Sequence, residues 1–387
     1  MTFKKLGGDR RRDIVFSAVV LAATLMLSAL PSGFSSPLAA GASERVKAAV
    51  VAVDDSLVKS TGPVKHGEQQ LRIRILSGRF RGTELETHNL LIGKMELDKL
   101  FAVGDRAFVV LDLSADRSSI VYANVLDHYR LDATLTLMGA FALCLVAFAG
   151  WTGVKALLSF FFSGAALIKL FLPAVLRGYD PVWMGLAVVA VLTAVIIFLV
   201  GGFTRKGAVA FAGSIGGVAA TAVLAAVFTR AFHIHGAVRP FTETLIYSGF
   251  DHLDLGGLFI AGVFLASSGA VMDLGMDIAA AMHEIAEKNP RIGRAELVKS
   301  GFFVGRHVVG TMTTTLLLAY TGGYTALLMT FIAQGVPFEN VVNMIYVSAE
   351  FVHTMVGSFG LVLVAPITAL AGGAVLAGGH RRADPDA

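Results

Sequence analysis

From Leu131 onward the chain repeats apolar runs of about twenty residues separated by short polar links. No other feature narrows the possible folds as much. The runs lie near 132–150, 155–176, 182–202, 207–229, 254–280, 301–320 and 354–377. At about 1.5 Å of rise per residue, a helix of that length matches the roughly 30 Å hydrocarbon layer of a bilayer. One more apolar run, Ile14 to Leu30, follows the bases Lys4, Lys5, Arg10, Arg11 and Arg12. With 55% hydrophobic and 16% charged residues and a mean hydropathy of +0.70, the chain has too much apolar side chain for a soluble domain to shield. The pattern predicts a mostly α-helical polytopic membrane protein with about eight transmembrane helices.

Two readings fit residues 1–43. Ala40-Gly41-Ala42 has the form of a signal-peptidase site, but the apolar run before it is longer than a usual signal-peptide core. The length favours an anchor helix that stays in place. The single cysteine, Cys144, excludes a disulfide within the chain and argues against a Cys-based metal site.

Residues 44–130 differ in kind. They hold 25 of the 60 charged residues and alternate apolar with polar side chains. Val46–Val53, Gln69–Leu76, Ala107–Leu113 and Ser119–Leu126 read as strands, with turn glycines at Gly78, Gly82, Gly93 and Gly104. A small β domain of about five or six strands is predicted, an OB-like or other small barrel. Arg72, Arg74, Arg79 and Arg81 put bases on one strand face, but few aromatics are near enough to stack on bases. A solvated face is the expectation, and no nucleic-acid partner.

The basic residues orient the chain. With the N-terminal tail inside, inner loops and tails hold 14 Lys and Arg, and the short outer loops hold only Arg177, Arg230 and Arg239. That asymmetry predicts a multi-pass protein of the plasma membrane. The β domain would be extracytoplasmic, residues 131–380 the helical membrane domain, 381–387 a cytoplasmic tail, and both termini cytoplasmic if the first helix is retained. Residues 321–353 fit no full span. Tyr324–Ala333 and Glu339–Phe351, split by Pro337, read as a re-entrant or interfacial pair of half-helices.

Ionisable residues within the apolar runs mark the candidate sites, because each costs roughly 2.5–3.5 kcal/mol at a helix centre on insertion scales. Asp273, Asp277 and Glu284 fall within about 40° of one another on a helix. They are expected to be buried, facing a polar path or a cationic partner. Arg306 and His307 belong to the next helix, where His307, Thr311, Thr314 and Thr321 form a polar stripe. A hairpin of the two helices would set the acids at the depth of Arg306 and His307, as an ion pair or a cation path. Glu350 and His353 share one turn, with Asn343 on the same face. His233, His235 and His252, with Asp251 and Asp254, are weak candidates for a divalent metal. Catalytic signatures are missing: His283-Glu284 is not followed by a second histidine at zinc-binding spacing, and no nucleophile elbow or P-loop occurs. Neither an enzyme nor a cofactor is expected.

Ser267-Ser268-Gly269-Ala270-Val271-Met272-Asp273-Leu274-Gly275-Met276-Asp277-Ile278 resembles a signature of the YibE/F-like family of bacterial membrane proteins. Ser300-Gly301-Phe302-Phe303-Val304-Gly305-Arg306-His307-Val308-Val309-Gly310-Thr311-Met312, continued by Thr315-Leu316-Leu317-Leu318-Ala319-Tyr320, resembles another. The likeness covers roughly residues 150–375. It implies a multipass protein and a permease-type role. The sequence departs from the pattern at His307, where the resemblance implies an acid, and at Thr314, where it implies Asn. Together these readings predict a permease or channel that moves a small solute or ion by means of the two-acid helix. The alternative is a membrane scaffold or regulatory protein whose β domain binds a protein or envelope partner.

Overall fold

The structure, a computed structural model, describes residues 3–31 and 43–377, with side chains from Arg12 onward. The Ala40-Gly41-Ala42 site, and the tail with Arg381 and Arg382, lie outside the described residues. The chain divides into two compact units, one of residues 33–147 and one of residues 1–32 with 148–387.

The first unit is a five-stranded antiparallel sheet of β1 (Ser43–Thr61), β2 (Val64–Ile75), β3 (Glu84–Ile92), β4 (Arg106–Leu113) and β5 (Ile120–His128). Its strand order is β3-β2-β1-β4-β5. The Thr87 hydroxyl of β3 donates to the Ala123 carbonyl of β5 at 2.6 Å, so the sheet curls into a nearly closed barrel. Alternation supplies the core: Val46, Ala48 and Val50 of β1, Leu71, Ile73 and Ile75 of β2, and Ala107, Val109 and Leu111 of β4 all point inward. Gly67 has φ +118° beside a bulge in β1, where a Cβ would sit 2.2 Å from the Leu57 carbonyl. Only glycine fits there. The predicted turn glycines all have positive φ. The arginines of β2 face exposed carboxylates on β3, Arg74 to Glu84 at 2.7 Å and Arg72 to Glu86 at 3.1 Å, so that face is not a free basic surface.

The helical elements are α1 (Phe3–Ala29), α2 (Leu131–Ala166), a π-helical turn (Leu167–Phe171), α3 (Leu172–Leu176), α4 (Pro181–Gly201), α5 (Arg205–Ala231) and α6 (Thr242–Tyr247). They continue with α7 (Leu255–Lys288), α8 (Arg294–Gly322), α9 (Thr325–Ala333), α10 (Phe338–Asn343) and α11 (Ile345–Val375). Among the described residues, seven helical segments are long and apolar enough to cross a membrane. The count differs from the expected eight because the runs at 132–150 and 155–176 join into one segment, Leu131–Leu176. Its helix is broken at Gly150, whose φ of 55° and ψ of −130° are not helical.

Asp180, Thr204 and Asp254 cap α4, α5 and α7 by accepting backbone N–H groups of the first turn. At the centre of the second unit, α11 packs against α5, α7 and α8. Glycines allow the close approach: a Cβ on Gly360 would meet the Thr221 hydroxyl at 2.1 Å. Asp13 of α1 pairs with the buried Lys155 at 2.8 Å, and Lys169 donates to the Leu30 carbonyl at 2.8 Å. These two contacts run α1 alongside 155–169 in the same direction.

The expected second half-helix, Glu339–Phe351, is not a separate element. Pro337 precedes the short α10, and the chain re-enters helix at Ile345 to run unbroken into the last apolar segment. Glu350 and His353 therefore sit on an early part of α11.

Candidate functional site

Asp273, Asp277 and Glu284 share one face of α7, but that face is exposed. The expectation that these acids are buried is corrected here. The opposite side of α7 carries Val271, Leu274, Ile278 and Met282, all fully or almost fully buried against the other helices. Burying four apolar side chains turns the carboxylates outward. Glu284 pairs with Lys288 one turn on, at 2.7 Å. Asp273 and Asp277 make no ion pair or hydrogen bond among the described residues.

On α8, Arg306, His307, Thr311 and Thr314 are exposed as well. His307 Nδ1 lies 3.0 Å from the Phe303 carbonyl, and the Thr311 hydroxyl donates to the Val308 carbonyl at 3.0 Å. These two members of the polar stripe thus bond to their own helix. The two helices do stand at the expected depth. A Cβ on Gly301 would meet Met282 Sδ at 2.6 Å, and one on Gly305 would meet Ile278 Cδ1 at 3.2 Å. Four residues along α8 match four residues back along α7, which puts Arg306 level with Asp277. The ion pair expected between them within one chain is not formed.

The structure instead assembles a charged cluster around Arg239, in the link between α5 and α6. Arg239 donates to Tyr324 Oη at 2.5 Å, to a Glu350 carboxylate oxygen at 3.2 Å and to His353 Nδ1 at 2.9 Å. Its guanidinium lies 5.4 Å from the centre of the Phe259 ring. The Glu350 and His353 side chains are only 12% and 11% exposed. Arginine can only donate, so Nδ1 accepts and the neutral ring carries its proton on Nε2. That nitrogen and Tyr320 Oη are buried with no hydrogen-bond partner in the chain. Their rings pack 4.3 Å apart.

Two clefts border the cluster. One of about 540 Å³ is lined by Arg239, Glu243, Tyr324 and Tyr346, among others. The other, about 200 Å³ and largely apolar, is lined by Thr321, Tyr324, Glu350 and Thr354. Tyr324 and Leu327 border both.

The sequence pointed to Glu350 and His353 but treated Arg239 only as an outer-loop charge. One available signal was the need of an acid and a histidine on one turn of an apolar helix for a cationic partner. The histidines behave otherwise. His233, His235 and His252 are exposed, His252 Nε2 lies 3.2 Å from the Leu176 carbonyl, and Asp254 is a helix cap. Among the described residues no group of three or more His, Cys, Asp or Glu is placed to hold a metal ion.

Fold and cluster define a class: a many-helix bundle of bilayer-crossing dimensions, preceded by a small β-barrel and holding a buried charged cluster. The pattern of the YibE/F-like protein family matches residues 137–378, and the chain belongs to that family. Comparison with curated proteins finds no match. Comparison with solved structures finds none either.

Proposed function

We propose that the chain is a multi-pass protein of the plasma membrane that passes a small solute or ion, with Arg239, Glu350, His353 and Tyr324 as its extracytoplasmic gate. The observation that carries this reading is the charged cluster itself, largely buried among apolar helices and bordered by two clefts that share Tyr324. A charge network at such a place costs desolvation, and a path for polar cargo is the usual reason to keep one. In this reading Asp273 and Asp277 are not the gate. The buried pairing of Asp13 with Lys155 supports a first helix that stays as an anchor. Lys and Arg asymmetry supports cytoplasmic termini and an extracytoplasmic barrel, with the segment broken at Gly150 crossing twice.

Full-length protein reconstituted in liposomes tests the proposal, with a proton-sensitive dye inside and imposed H⁺, Na⁺ or K⁺ gradients. The expected result is a flux above protein-free vesicles that Glu350→Gln abolishes. Wild-type vesicles as tight as empty ones to all three ions would remove the ion reading, and equal flux in Glu350→Gln would remove the gate.

One observation favours a scaffold role for the barrel as a second reading. A cleft of about 530 Å³ is lined by Asp54, Glu68, Arg72, Glu86 and His88, among others. Such a polar groove on an OB-like barrel suits an envelope or protein partner. Deleting residues 44–130 separates the readings: a scaffold loses its partner, whereas a permease core keeps its flux.

A further inference from the structure

The outward face of α7 and α8 is built unlike a surface that meets acyl chains. Gly262, Ala266, Gly269, Asp273 and Asp277 follow one another along α7, all exposed. A Cβ at Gly262, Gly269 or Gly310 would have nothing within 4 Å, whereas one at Gly301 or Gly305 would press on a neighbouring helix. The inward glycines are accounted for by packing within the chain; the outward ones are not. Small residues on an apolar helix let another helix approach closely. The same face carries opposite charges without partners: Asp277 on α7 and Arg306 on α8 are exposed and make no ion pair among the described residues.

We infer that this face is the contact between two copies of the chain, with Arg306 of each copy paired to the partner's Asp277. The inference rests on the bundle being membrane-embedded, as proposed above. The register argues for a second copy rather than another protein. Gly301 against Met282 and Gly305 against Ile278 set Arg306 level with Asp277. A two-fold axis along the bilayer normal keeps every residue at its own depth, so it can join these two groups, and it joins them twice. Helix contact through Gly262, Ala266 and Gly269 brings the α8 of one copy beside the partner's α7. Asp273, level with Gly310, then faces a glycine that leaves it room.

Cysteine cross-linking in native membranes tests this, because Cys144 is the only cysteine and can be replaced by Ser. In that background, oxidation of Ala266→Cys is expected to give a covalent dimer. Val223→Cys, on an exposed face of α5, is expected to stay monomeric. Adding Arg306→Asp to Ala266→Cys should remove the dimer band, and adding Asp277→Arg as well should restore it. No band from Ala266→Cys, an equal band from Val223→Cys, or a double exchange that fails to restore would each overturn the interface. Carbonate washing separates the two levels. Protein retained in washed membranes without the dimer defeats the interface alone, and protein washed out defeats the membrane reading and the interface together.

Discussion

Two regions of the helical bundle hold charge, and they resolve it in opposite ways. Around Arg239, groups from the α5–α6 link, from Tyr324 and from α11 meet within hydrogen-bond distance and are largely buried. On the outward face of α7 and α8, Asp277 and Arg306 stand level with each other but exposed and unpaired. The first region pairs its charges within one chain; the second does not. Charge within apolar helices is therefore not one signal. Its meaning depends on whether the helix turns that face toward its own neighbours or away from them.

The largest expected effect breaks the closed region. Glu350→Ala leaves Arg239 without its carboxylate, and should cost about 3 kcal/mol of stability, the lower end for a broken buried pair because Arg239 is partly exposed. Thermal unfolding of the purified protein in detergent measures it, and a loss under about 1 kcal/mol would mean the cluster does not hold the bundle together.

Asp13→Ala should come next, at about 2 kcal/mol, since it strands the buried Lys155, with the cost reduced because the lost acid is itself partly exposed. The same unfolding measurement reads it, and an unchanged melting temperature would detach α1 from the bundle's stability. By contrast, Asp273→Asn or Asp277→Asn should change the stability of the detergent-dispersed monomer by no more than about 0.5 kcal/mol, because neither acid has a partner to lose. A large loss there would collapse the distinction between the two regions.

The smallest effect lies in the barrel. The Asp98 carboxylate accepts the backbone N–H groups of Ile92, Gly93 and Lys94 at 2.9, 2.7 and 2.8 Å, and these bonds, that of Ile92 foremost, hold its pKa below the usual carboxylate value. A lowered folded-state pKa contributes stability that is complete above about pH 4 and is lost as pH falls through the lowered value. Amide exchange at 92–94, corrected for its intrinsic pH dependence, should be slower at pH 7 than at pH 3 in the wild type. Asp98→Asn should remove most of that difference.

The third strand shows why the sequence was only partly legible. In β3 the inward positions are Thr87, Asn89 and Leu91, so apolar alternation fails. Thr87 reaches the Ala123 carbonyl, and Asn89 donates to Gln69 and to the Lys99 carbonyl. Gln69 and Ala123 lie on other strands, 20 and 36 positions away, so the pattern within β3 does not reveal them. The other four strands bury aliphatic side chains at alternate positions, and the sequence located them.

Hydrophobic periodicity and length, both local properties, were enough to locate helices of bilayer-crossing length and a small β-barrel before them, and the motifs around Asp273 and Arg306 carried the resemblance to the YibE/F-like family. Packing alone decided which charges meet. Arg239 finds Glu350 and His353 more than a hundred residues away, and Asp273 and Asp277 face outward because the other side of α7 buries more apolar surface. Which faces touch is set by competition among all the helices at once, and one helix's sequence carries only its own share of that balance.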